Sequence, residues 1–177
     1  SDLGGKGVIV IGSTADFIME NCEVKSLNQA ADCDGNSVFF DSCRIHSGDG
    51  SKNMAIGIRS DALNKLTASN CLIYDCGIGI DNNAFDGVAA VYNNTIHNCN
   101  TGIEAYKYFS AIDNNIIMSC STDAIKGDGG ANHPAPSNNL FFANTEDIDN
   151  YTDDASKITG TDPEFVDSAS GNFYLAD

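Results

Sequence analysis

The chain has 177 residues, 42% of them hydrophobic and 19% charged, and its 25 acidic and 9 basic side chains leave a formal net charge of −16. One domain fits that length, and no apolar run is long enough for a membrane span or a signal-peptide core. An acidic surface whose only arginines are Arg44 and Arg59 repels phosphate backbones, which argues against nucleic acid and anionic membrane as partners.

Seventeen glycines, no tryptophan and many Asn, Asp and Ser residues predict short strands separated by turns, starting with a strand by Val8. Laid against itself, the chain repeats. The second residue of each Asn-Cys or Asn-Asn pair, with Cys43 after Ser42, marks Cys22, Cys43, Cys71, Asn94, Asn115 and Asn139, at intervals of 21, 28, 23, 21 and 24 residues. Two positions after the marker stand Val24, Ile45, Ile73, Ile96, Ile117 and Phe141, apolar without exception. Three positions before it stand Met19, Phe40, Ala68, Val91 and Ile112, and Pro136 breaks the column. Five positions after it come Leu27, Gly48, Cys76, Cys99, Cys120 and Asn144. Nine after it come Ile80, Ile103, Ala124 and Ile148, with Ile58 as the equivalent in the longer second unit.

Each unit thus holds two or three short strands in which inward apolar residues alternate with polar ones, and no unit can bury its apolar face alone. A leucine-rich repeat would show more leucine, and a hexapeptide or nonapeptide roll a shorter period. The expected fold is all-β: a parallel β-helix solenoid of six or seven coils with three strands each. Residues 1–177 form one domain, with coils over 8–150 and a C-terminal capping tail over 151–177 folded back on one face.

The seven cysteines, Cys22, Cys33, Cys43, Cys71, Cys76, Cys99 and Cys120, include no Cys-x-x-Cys pair. Stacked inward thiols also suit a disulfide dihedral badly. They read as two buried ladders of small hydrophobes, the first continued by Asn94, Asn115 and Asn139. Outward positions such as Leu72, Tyr74, His97, Ile116, Met118 and Phe142 form an apolar outer face. The tail, through Phe165, Val166, Phe173, Tyr174 and Leu175, a subunit interface, or a sugar stacked on its aromatic rings covers it. Asp32-Cys33-Asp34-Gly35-Asn36 starts like a calcium loop but has Cys43 at the twelfth position, so it reads as a polar turn, as do Gly48-Asp49-Gly50 and Gly127-Asp128-Gly129-Gly130.

A second wet row follows the isoleucine column: Arg59, Asp81, Glu104, and Lys126 if its coil has slipped by one residue. As structure it is an ion-pair ladder. As function it is a carbohydrate groove, edged by Asp61, Asp86, Lys107, Asp128 and His133. Lyase chemistry would use Lys126 or His133 as base and Arg59 to hold a uronate carboxylate, with Asp81, Glu104 and Asp128 as calcium ligands. Hydrolysis would draw its two carboxyl groups from Asp81, Glu104 and Asp128.

The units NCLIYDCGIGI, NNTIHNCNTGI and NNIIMSCSTDAI, with the ending DPEFVDSASGNFYLAD, resemble the right-handed parallel β-helix, or pectate-lyase-like, superfamily. The resemblance implies an extracellular or cell-surface protein that binds or processes a polysaccharide, as a lyase or a hydrolase, with calcium as the one cofactor in view. That superfamily also holds non-catalytic phage-fibre, adhesin and envelope modules. Its enzymes usually carry an N-terminal capping helix, so this chain is expected either to be part of something larger or to meet a partner, such as another copy, at its open first coil.

Overall fold

Every marker is preceded by a residue in the left-handed backbone region: Asn21, Ser42, Asn70, Asn93, Asn114 and Asn138, with φ of 53–58°. Asparagine tolerates this conformation better than most side chains, which is why Asn recurs there. A second such corner follows the first by five residues in the last four units, at Asp75, Asn98, Ser119 and Ala143. These corners turn the chain from one short strand into the next.

The computed structural model of the protein describes residues 8–11, 16–26, 29–34, 37–47, 54–61, 65–83, 88–129, 133–168 and 172–175. Three parallel sheets run the length of the molecule. The first has seven strands: Val8–Ile11, Gln29–Asp34, Met54–Ser60, Cys76–Asn82, Thr101–Ala105, Asp123–Gly127 and Glu146–Asp149. The second has five: Phe17–Glu20, Ser37–Asp41, Lys65–Ser69, Val88–Tyr92 and Phe109–Asp113. The third has seven: Glu23–Ser26, Arg44–Ser47, Leu72–Tyr74, Thr95–His97, Ile116–Met118, Leu140–Phe142 and Ile158–Thr159.

Five complete coils therefore lie between Phe17 and Gly127, with incomplete turns on either side, slightly fewer than the six or seven expected. The next coil lacks its strand in the second sheet. Pro136 occupies that place, proline cannot supply a ladder N–H, and only an isolated bridge from Asp113 to Ser137 forms. The turn segments Gly35-Asn36 and Gly48-Asp49-Gly50, together with Leu27, Asp86 and Gly130, lie outside the described residues.

Like stacks on like, as the repeat requires. Ile45, Ile73, Ile96 and Ile117 are fully buried, as are Ile58, Ile80, Ile103 and Ile125. The last of these corrects the sequence alignment, since Ile103 pairs with Ile125 and not with Ala124. The corner between Cys120 and Asp123 holds one residue more than that between Cys99 and Thr101, and the extra residue shifts the strand by one position. Ala124 thereby falls beside Gly102, in a column headed by Gly57 and Gly79 that the periodicity did not single out. A Cβ at Gly79 would lie 2.5 Å from the Gly102 carbonyl oxygen and 3.0 Å from Ile96 Cγ2. The coils approach too closely there for a side chain.

The inward asparagines form a buried ladder. Asn94 Nδ2 donates to Asn115 Oδ1 at 3.0 Å, and Asn115 Nδ2 donates to Asn139 Oδ1 at 3.0 Å. Asn139 Nδ2 in turn donates to Asp154 Oδ2 at 3.0 Å. The cysteines carry no disulfide among the described residues, and Cys43, Cys71, Cys76, Cys99 and Cys120 are buried, whereas Cys22 at the ladder's edge is exposed. Burial pushes the Cys71 thiol up to about 12, so it is inert at neutral pH.

The tail folds back as expected: Phe165–Asp167 pairs antiparallel with Asn172–Leu175. Its Phe173 ring packs 5.5 Å from Tyr74 and 5.2 Å from His97, and both of those outward residues end up 7% exposed.

Candidate functional site

Alternation along the first sheet decides what faces water. With Ile58, Ile80, Ile103 and Ile125 inward, the next residue of each strand points out. In register these are Arg59, Asp81, Glu104, Lys126 and Asp149. The structure thus brings together four of the residues expected from the sequence, on consecutive rungs about 4.8 Å apart, and adds Asp149.

Arg59 Nε donates to Asp61 Oδ2 at 3.1 Å and lies 3.9 Å from Asp81 Oδ2. Asp61 also accepts from Asn83 Nδ2 at 2.8 Å, so the edge beside Arg59 is tied down. Asp81 is 7% exposed. Burial pushes its carboxyl up to about 6, the neighbouring Glu104 charge adds to the rise, and Arg59 opposes it. Glu104 is half-buried between Asp81 and Lys126. On the far side, Lys126 Nζ lies 3.7 Å from Asp123 Oδ2, an oxygen that is buried and has no hydrogen-bond partner.

Past the Glu104 strand the chain enters a short loop with Tyr106 and Tyr108 exposed and Lys107 half-buried between them. Partial burial raises the Tyr106 hydroxyl, and the Glu104 charge raises it further. These exposed rings beside the carboxylates were missed in the sequence. The signal available was a Tyr-Lys-Tyr run directly after an outward Glu.

His133 and Asp128 stand apart from the row. The His133 ring stacks 4.9 Å from Tyr151 and 6.1 Å from Tyr108, and its Nε2 lies 3.8 Å from Asp128 Oδ1. Its Nδ1 and the Tyr151 hydroxyl are buried without partners. Tyr151 packs over Gly127, where an added Cβ would lie 2.9 Å from its ring. Among the described residues no group of three or more His, Cys, Asp or Glu side chains is placed to hold a metal ion, so Asp81, Glu104 and Asp128 do not converge as calcium ligands.

What the row can do follows from its two central carboxyls. A buried acid raised to about 6 beside a second carboxyl is the arrangement that separates acid and base roles between like groups. A family model described as the right-handed beta helix region matches residues 5–162. No curated protein and no solved structure matches the chain.

Proposed function

The chain belongs to the right-handed β-helix family, and from that premise we propose that the outer face of its first sheet binds and hydrolyses a glycan outside the cell or at its surface. The observation that carries the reading is the Asp81 and Glu104 pair, with Asp81 raised to about 6. Asp81 in its protonated form gives its proton to the glycosidic oxygen as the bond to the anomeric carbon breaks, and water, activated by Glu104 or cleaving a glycosyl ester formed on it, adds its OH to that carbon and returns a proton to the pair. Arg59 and Lys126 flank the pair, and Tyr106 and Tyr108 offer rings on which a sugar stacks.

The test is a panel of neutral and acidic polysaccharides, with and without calcium, read for new reducing ends and for unsaturated products. Reducing ends alone are expected, with a rate that declines as pH rises through about 6, where Asp81 loses its proton. Asp81→Asn and Glu104→Gln should each lower the rate by about 100-fold or more. Unsaturated ends that vanish in Lys126→Ala or His133→Ala would replace this reading with a lyase. Silence across the panel would leave the row as an ion-pair ladder on a structural or adhesive module, a reading that the Arg59 to Asp81 pair across neighbouring rungs favours.

A further inference from the structure

The second sheet carries a groove of about 440 Å³ on its outer face. Val38, Phe40, Leu66 and Ala68 point into the core, so Phe39 and Thr67, which lie between them in sequence, point out. Ile18 pairs with Phe39 and Phe39 with Thr67, which makes these three a continuous floor. Two residues further along each strand, Glu20, Asp41 and Ser69 form a rim in the same register. Asp16 and Lys65 line the groove as well.

Four features of this groove point to a ligand. Ile18 is 61% exposed, so the apolar floor is open. Thr67 is 6% exposed and its hydroxyl is buried without a partner, a cost that a buried hydroxyl ordinarily avoids. Asp41 is held rigidly by Ser69 Oγ at 2.6 Å, Asn70 Nδ2 at 2.7 Å and Ser42 Oγ at 3.0 Å, which leaves a carboxylate lone pair for one more donor. Lys65 Nζ sits 5.8 Å from the Phe39 ring centre, so the floor already attracts an ammonium group.

From these we infer that the groove binds an amine-bearing pyranose chain, with its sugar faces on Ile18 and Phe39 and its ammonium groups toward Glu20 and Asp41. Three carboxylates against one lysine, on a chain of net charge −16, repel a uronate and favour a cation. Across the floor the strands Phe17–Glu20, Ser37–Asp41 and Lys65–Ser69 hydrogen-bond one another, so a peptide laid over the groove would meet side chains only. Glu20 and Asp41 are register partners on neighbouring strands, about 4.8 Å apart, so two carboxylates stand side by side along one edge of the groove. The site shares no residue with the Asp81 and Glu104 row and stands whether or not that row is catalytic.

Calorimetric titration with the β-1,4-linked tetramer of glucosamine at pH 5.5 tests it, alongside the N-acetylated tetramer, tetragalacturonate and tetralysine. Saturable binding of the glucosamine tetramer alone is expected. The Kd should rise at least tenfold in the surface variant Glu20→Gln and in Phe39→Ser, with the fold of each checked by circular dichroism, and stay unchanged in Asp81→Asn. Equal binding of the N-acetylated tetramer or of tetralysine would overturn the assignment, as would a Kd indifferent to Glu20→Gln, or no saturable binding of the glucosamine tetramer at all.

Discussion

Asp81 and Asp154 are both buried carboxyls, at 7% and 1% exposure, yet they are pushed in opposite directions. Burial raises both. At Asp81 the Glu104 charge reinforces it, whereas at Asp154 hydrogen bonds from Ser156 and Asn139 outweigh it and bring the carboxyl below its ordinary value. The sign of the stability effect follows. A carboxyl raised in the folded state favours folding at low pH, and that contribution disappears as pH rises from about 4, its unfolded value, through the folded value near 6. Asp81→Asn should therefore stabilise the protein at pH 7 by roughly 3 kcal/mol and leave it little changed at pH 4. Thermal unfolding of both proteins across that range checks this, and a difference that does not vary with pH would contradict it.

At the scale of the strand, the glycine column is where neighbouring coils come too close for a side chain. Gly79→Ala places a methyl 2.5 Å from a backbone oxygen of the next coil, which no side-chain rotation relieves. Such overpacking should cost about 3 kcal/mol, readable as a shift of the urea midpoint. The same change at Gly129 meets nothing within 4 Å but has a φ of 74°, so any loss there comes from backbone strain alone. The glycine column also shows how much of the fold could be read beforehand. The marker and isoleucine columns were legible because identical residues recur at nearly constant intervals, and the pairing of Ile80 with Ile103 follows from them. The slip that brings Ile125 and Lys126 into register depends on one extra corner residue, which periodicity flags only as an irregularity. Of the candidate site, the charged row was readable as the outward neighbours of a known inward column. Tyr106, Tyr108 and the Thr67 groove were not, because outward residues answer to no packing partner and so carry no period.

Across the whole molecule each coil touches only its neighbours, so stability is a sum of rung-to-rung contacts and any covering element matters locally. The tail is such an element. Its Phe173 touches Tyr74, His97 and Phe165, rings drawn from two coils and from the tail itself. Phe173→Ala should cost about 2 kcal/mol and expose Tyr74 without altering the strand content. A lower melting temperature with an unchanged far-ultraviolet spectrum, and a shifted Tyr74 ring signal, would show it.

The asparagine ladder has a direction. Each side-chain amide accepts from the coil before it and donates to the coil after it, so the amide dipoles add head to tail and their positive ends face Asp154. Asp154 is where this flow of donors stops: Oδ2 takes both N–H groups of Asn139, and Oδ1 takes the Ser156 backbone N–H and hydroxyl. Only an ionised carboxylate can accept on both sides, since an amide or a protonated acid of the same shape would present a hydrogen to donors already in place. Acid should therefore loosen this rung before the rungs held by Asn94 and Asn115, and the stack should fray inward from its Asp154 end as pH drops.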